Sequence, residues 1–477
     1  MNRPVEPTLR AGVARADITP PLGIGHAGWG AQAHQRATGV DLPLWVTALA
    51  LAQNDLVTVI VDIDCMYLFE PEAQAVRDAI ARLTGLPEGN IRISYTHTHS
   101  GPVSGGTWSA WMSEGADLVP AYDARIADEA AGVAWAAIQN LQPVRLAAAS
   151  GRSDISVNRR FQRPGDDVVV VGRNHQGPVD REVQMLRIDT LAGQPLATVV
   201  NFACHPITVG PDCDLITPDY PGAMKRVVET ATGSTCLFLQ GAAGDIGPVR
   251  GVARNGLHEY RRLGAMLGHE VNRLWWGVEL PARGEAYAGT LESGAPLAIY
   301  EETPLPDEDR ALRVISRTVN LPTRQIGDPD TFEREFAQHI AELDRLRATG
   351  TDEEIKQQTM LAKRAGMRAG LSRNVANRPQ WPVELHAIAL GDDIALIGMA
   401  AEPFTEIGMA IKAQSPFATT LVSGYTGVGW AYLPTAAAYP LAGYEVEVSP
   451  LAPEAEAVIV DESVRLLHEL RQSGVSS

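Results

Sequence analysis

Runs of apolar residues broken by turn signals predict strands early in the chain and again after each helical stretch. Leu44 to Ala52 and Leu56 to Asp64 read as two strands joined by the turn Gln53-Asn54-Asp55, the pattern of a hairpin. A helix over about Pro71 to Leu83 follows, then a strand from Ile91. The segment from Leu56 to His99 is therefore a β-α-β unit, normally a right-handed crossover between parallel strands. Strict alternation would put Ile91, Ile93, Tyr95, His97 and His99 on one strand face, with Arg92, Ser94, Thr96 and Thr98 on the other.

A second hairpin runs from about Glu182 through Leu191-Ala192-Gly193-Gln194 to His205. Asp219-Tyr220-Pro221-Gly222 opens a helix, and Thr235 to Gln240 forms a strand entering the glycine loop Gly241 to Pro248. His386 to Leu390 and Ile394 to Met399 pair across Gly391-Asp392-Asp393 and lead to Glu402. The polar stretch from about Asp328 to Arg373 favours helix and reads as a helical hairpin or lid. Glu454 to Leu470 reads as a terminal amphipathic helix. The expectation is an α/β fold: one domain over residues 1–477, a mixed β-sheet with flanking helices and a helical insertion at about 328–373.

Charge and composition narrow the function classes. With 40 basic and 57 acidic residues the net charge is −17, which argues against a nucleic-acid or anionic-membrane partner. Four scattered cysteines, Cys65, Cys204, Cys213 and Cys236, read as free thiols rather than a disulfide framework. The first residues hold no apolar leader and no segment is long enough to span a bilayer, so the expectation is a cytoplasmic enzyme without a stable membrane anchor. Oligomeric state stays open.

Histidines at strand ends carry the chemistry. His97 and His99 share the segment Tyr95-Thr96-His97-Thr98-His99-Ser100-Gly101-Pro102, and His205 ends the apolar run Leu196 to Cys204. A lone strand-end histidine is commonly a hydrogen-bonded core residue, but an i, i+2 pair aims both rings at one place. Imidazole is the commonest metal ligand at neutral pH. Asp62 and Asp64 fit either a second, harder cation or satisfied strand-end carboxylates. Cys204 and His205 point to opposite faces, against a Cys-His nucleophile pair. The glycine loop lacks the form of a phosphate-binding loop.

In series these segments resemble the neutral ceramidases, zinc-dependent amidases. Tyr95 to Pro102 matches the family's T-H-T-H-S-G-P, Asn158-Arg159 its N-R, and Phe202-Ala203-Cys204-His205 its F-A-V-H. Asp219-Tyr220-Pro221-Gly222 matches D-N-K-G, Gly244 to Pro248 matches G-D-V-S-P, and Glu402-Pro403-Phe404-Thr405 matches E-F-T. Tyr439 with Tyr444-Glu445 matches the E-E-Y…Y-E segment.

The resemblance implies one zinc per chain on His97, His205, Glu402 and Tyr439. His99 becomes a substrate-contacting or proton-transfer group beside the metal, with Asp245 and Arg159 as further catalytic residues. It implies hydrolysis of a linear amide, an N-acyl amine or N-acyl amino compound, by zinc-activated water. Two features depart from the family: Gly247 stands where its serine would be, and too little chain follows Tyr444 for its C-terminal immunoglobulin-like domain. Backbone N–H groups of Gly244, Asp245 and Gly247 are expected to support an oxyanion in place of that serine. A zinc esterase or lactonase, a zinc-retaining protein that binds a ligand without turnover, and a two-metal phosphoesterase are the alternatives.

Overall fold

The computed structural model describes residues 9–473 except 27, 33, 106–111, 113, 167, 251–255, 281–282, 305–309 and 430. The Trp45–Gln53 and Leu56–Ile63 strands pair antiparallel, the helix Glu70–Thr84 follows, and Ile91–Tyr95 returns parallel to Leu56–Ile63. These strands close one end of an 8-stranded sheet in the spatial order Thr235–Gln240, Pro195–Phe202, Glu182–Thr190, Gln142–Arg152, Arg10–Asp17, Trp45–Gln53, Leu56–Ile63, Ile91–Tyr95. Parallel pairing at both ends and antiparallel pairing between make the sheet mixed.

A 4-stranded sheet, Leu312–Pro322, Gln380–Leu390, Ile394–Met399 and Thr419–Ser423, packs against one face of the large sheet. The packing is visible in the single cluster that joins Leu49, Ile60, Leu186 and Leu239 to Leu390, Leu396 and Leu421. Both layers here read as continuous apolar runs because both faces of these strands are covered. The other face of the large sheet is sealed by helices Glu70–Thr84 and Val119–Gln139 at one end. Helices Asp219–Thr232 and Leu257–Gly277 seal it at the other. Thr405–Gln414 and the terminal helix Ala455–Gln472 cover the outside of the small sheet. Helix, sheet, sheet, helix is the layer order that results.

The polar insertion forms a hairpin of two helices, Pro329–Thr349 and Asp352–Val375. Asp328 caps the first, and Thr351 with Glu354 builds a capping box on the second. The first helix buries only Leu343 and Leu346, whereas the second buries a face that includes Ala362, Ala369 and Lys363, the last 3% exposed. None of the described helices is long and apolar enough to cross a membrane.

Candidate metal centre

The strand that delivers the first imidazoles ends at Tyr95, where alternation had extended it to His99. Beyond Tyr95 the chain turns and His97 takes φ 70°, the left-handed region. That conformation is unfavourable for a side chain and persists only where its surroundings fix it. Here the Thr96 and His97 amides donate to the Ile63 and Cys65 carbonyls at 3.0 and 2.9 Å. The Thr98 hydroxyl donates to the Thr217 carbonyl at 2.7 Å. The two rings meet because of this turn rather than through a shared strand face.

Each histidine has one ring nitrogen fixed by a backbone carbonyl. His97 Nδ1 lies 2.7 Å from the Met66 oxygen, His99 Nδ1 2.7 Å from that of Gly28, and His205 Nδ1 3.0 Å from that of Ala243. A carbonyl only accepts, so each Nδ1 carries the hydrogen and each Nε2 presents a lone pair. Those lone pairs converge: His97 Nε2 is 3.0 Å from His205 Nε2 and 3.3 Å from His99 Nε2. The three ligand atoms lie within 4.8 Å of one another and could hold a metal ion. Burial pulls His97 and His205 well below the ordinary histidine range and His99 down to about 4, so all three rings are neutral at neutral pH.

Glu402 opens the short strand Glu402–Pro403 and brings Oε2 to 3.7 Å from both His97 Nε2 and His205 Nε2. This strand pairs in parallel with Tyr432–Leu433, Glu402 opposite Tyr432. Tyr425, also left-handed at φ 57°, sets its ring 4.3 Å from that of His97 and its hydroxyl 3.3 Å from His205 Nδ1. Burial raises both phenols well above their usual range, and the Glu402 carboxylate adds to the effect. Tyr439 lies elsewhere: its hydroxyl donates to the Leu451 carbonyl at 2.7 Å and its ring packs by Phe404, Ala438 and Val446. Thus His97, His99, His205 and Glu402 come together, and the tyrosines beside them include Tyr425, Tyr432 and Tyr67, whose ring stacks on that of His97 at 6.1 Å. The resemblance singles out Tyr439 of the same segment, but its hydroxyl is held at the Leu451 carbonyl, whereas Tyr432 pairs with Glu402.

The remaining expected residues frame this group. Arg159 is buried, with Nε 2.8 Å from Glu445 Oε1 and Nη2 donating to the Tyr432 hydroxyl at 2.9 Å. Asp245 accepts from the Thr405 amide at 2.8 Å and from Asn158 Nδ2 at 2.9 Å, tying the glycine loop to the segment after Glu402. Burial pushes the Asp245 carboxyl up to about 7. Gly244 meets Glu402 so closely that a Cβ would stand 2.6 Å from the Glu402 oxygen, and its amide donates to the Pro403 carbonyl at 2.8 Å. The Gly244 N–H is thus committed within the fold, against its expected role toward an oxyanion. Gly247 pairs with Val157 in a short antiparallel ladder, and a Cβ there would meet Arg159 Cβ at an ordinary 3.5 Å.

Asp62 and Asp64 grip Lys225 Nζ at 2.7 and 3.0 Å, all buried, so their charge is met by an ammonium rather than by a second cation. Cys204 lies in the apolar cluster with Tyr220 and Met224. Segment 28–32 was missed by sequence reasoning. Trp29 lies against His99 with ring centroids 5.4 Å apart, and Lys363 Nζ donates to the Trp29 and Gln32 carbonyls at 3.1 Å each. A Cβ on Gly28 would stand 2.4 Å from the His99 oxygen, so the backbone itself forms the wall.

Fold and cluster together define a layered α/β protein with a buried, metal-competent histidine-carboxylate centre. Residues 9–250 match the neutral/alkaline non-lysosomal ceramidase N-terminal family. The chain belongs to that family. It is 25% identical over 200 residues to neutral ceramidase A of Dictyostelium discoideum, an alignment covering 39% of this chain and 28% of that relative. The fold is similar to the crystal structure of neutral ceramidase from Pseudomonas aeruginosa, with a TM-score of 0.69 at 18% identity over 98% of this chain and 75% of that one. A ceramidase complexed with C2 gives the same score and identity over 98% and 76%.

Proposed function

We propose that this protein is a zinc-dependent amidohydrolase that cleaves a linear amide, an N-acyl amine or N-acyl amino compound. The family supports the bond type. The observation that carries the reading is the convergence of neutral Nε2 lone pairs, each ring locked through Nδ1 by a carbonyl. Carbonyl-oriented imidazoles of this kind are the usual support of metal-ligating histidines. Two imidazoles and a carboxylate, with a phenol at hand, are donors that zinc accepts in a site with an open position. His97, His205 and Glu402 would hold the ion, and the phenols at hand are Tyr425, whose ring lies 4.3 Å from that of His97, and Tyr432, opposite Glu402 in register. When bound, the metal supplies Lewis acidity and lowers the pKa of water.

The chain's own residues do the rest. His99 Nε2 faces the centre as a free base, so it can take a proton there and, once protonated, give it to the leaving amine. Arg159 orients the Tyr432 hydroxyl, and Glu445 in turn holds the guanidinium. Asp245 fixes the glycine loop against the start of the Thr405–Gln414 helix.

The test is a screen of metal-stripped and zinc-reloaded protein against N-acyl amines, esters and lactones. Zinc-restored cleavage of amides is the expected result. Turnover of esters or lactones alone would move the assignment to an esterase. Retained zinc without turnover of any of the three would overturn it in favour of a ligand-binding protein.

A further inference from the structure

Between the two sheets, away from the histidine centre, lies a buried positive charge that has no counter-charge among the described residues. Arg92, on the strand Ile91–Tyr95, is 1% exposed. Among the described residues its side chain donates only to two neutral hydroxyls, those of Ser94 and Ser423, and Nη1 meets no partner. Burial pushes this guanidinium down to about 10, and it stays charged at neutral pH. A buried charge left alone costs several kcal/mol, so natural folds pair or solvate it.

The surroundings repeat the anomaly. Ser316, His386, Gly398 and Ser423 stand side by side across the small sheet, so their side chains share a face. Gly398 leaves its space to Arg92: a Cβ there would be 2.9 Å from Arg92 Cζ. The guanidinium therefore sits beside His386, the next residue in that row. His386 is 3% exposed; among the described residues neither ring nitrogen makes a hydrogen bond of full geometry, and the Gly89 carbonyl is the backbone group that draws on its N–H. Two residues before it on the same face, Glu384 is already paired with Arg77 from the helix Glu70–Thr84. The cluster thus holds two guanidiniums, one carboxylate and a histidine that burial and both arginines keep neutral against the opposing pull of the Gly89 carbonyl. One positive charge remains in excess.

We infer that this cluster is a binding site for a small inorganic anion, chloride under ordinary conditions, held by Arg92 Nη1 and a ring N–H of His386. A neutral imidazole has one N–H to donate and a guanidinium five, so Arg92 Nη1 and an imidazole N–H approached by the Gly89 carbonyl alone both suit an acceptor ion. A monovalent ion balances the charge. The site joins a strand of the large sheet to three of the small sheet, so its occupancy bears on how the two layers hold together.

Crystals grown in sodium bromide in place of chloride, with diffraction recorded at the bromine edge, test the site. An anomalous peak within hydrogen-bond reach of Arg92 Nη1 and a His386 ring nitrogen is expected. Density there without anomalous signal, or no density, would assign the cluster to water or to nothing and overturn the inference. In solution, the thermal midpoint in sodium chloride should exceed that in sodium gluconate at equal ionic strength by about 2 °C or more. Arg92→Met should abolish that difference. If Arg92→Met does not fold, His386→Phe serves: it keeps the guanidinium and should weaken the halide response, and an undiminished response would count against the site. Equal midpoints for the wild type in the two salts would also refute it.

Discussion

Removing the guanidinium of Arg159 should unfasten the tyrosine beside Glu402 and expose the energetics of this wall. Arg159→Met keeps the aliphatic length but deletes the contacts to Glu445 at 2.8 Å and to the Tyr432 hydroxyl at 2.9 Å. The partner left behind, Glu445, is 2% exposed, so the loss resembles breaking a buried pair, about 3–5 kcal/mol. Arg160 Nη1 still reaches Glu445 Oε2 at 2.9 Å, which sets the expectation at the lower end, about 3 kcal/mol. Glu445→Gln alone should also destabilise, because two arginines then share a neutral amide. The double variant should cost less than the sum of the singles, by about 1–3 kcal/mol of coupling. Urea unfolding at constant slope gives all four values. A loss below about 1 kcal/mol for Arg159→Met, or additivity within about 0.5 kcal/mol, would refute the pairing as an energetic unit.

Lys225→Met should destabilise by about 3–5 kcal/mol, because it strands the buried carboxylates of Asp62 and Asp64; recovery of that stability by added calcium or magnesium would instead mark a cation site. Asp123 is raised to about 7, chiefly by burial, with the Gly105 amide opposing and Glu72 adding to the shift. Its folded pKa exceeds its unfolded one, so its contribution to stability is full below about pH 4 and is lost as pH climbs through about 7. Thermal midpoints of Asp123→Asn should therefore fall less than those of the wild type over that window, and parallel curves would count against the assignment. Lys363→Met releases the Trp29 and Gln32 carbonyls and with them the wall that orients His99. It should lower kcat by about ten- to a hundredfold with KM nearly unchanged, and retained turnover in a destabilised protein would make the lysine purely structural.

Much of this architecture was legible because local pattern and global packing agree. The run Leu44 to Asp64 is apolar on both strand faces, and both faces are indeed covered, by helices on one side and the small sheet on the other. The helical insertion announced itself through its polar, helix-favouring composition, while the Asp328 and Thr351 caps that start its two helices came to light in the structure. His97, His205 and Glu402 stood at the ends of strand signals, where a sheet delivers side chains to one edge. What stayed hidden depends on partners distant in the chain. No periodicity marks Tyr432, whose two-residue strand exists only because Glu402–Pro403 pairs with it. The left-handed turn at His97 is fixed by carbonyls of residues 63 and 65, not by residue type. Arg92 looked like the polar side of a strand, yet that side is buried under a second sheet. Asp62 and Asp64 gave no sign of Lys225, which arrives from a helix far along the sequence.

The most direct measurement is the position and stoichiometry of the metal. Purified protein loaded with zinc should contain one ion per chain, and diffraction at the zinc edge should place it among His97 Nε2, His205 Nε2 and the Glu402 carboxylate, at about 2.0–2.2 Å from each. His97→Ala and His205→Ala should lose the ion, while Tyr439→Phe should keep it. Zinc bound elsewhere, or a protein fully active on amides after the metal has been stripped, would contradict the proposed centre.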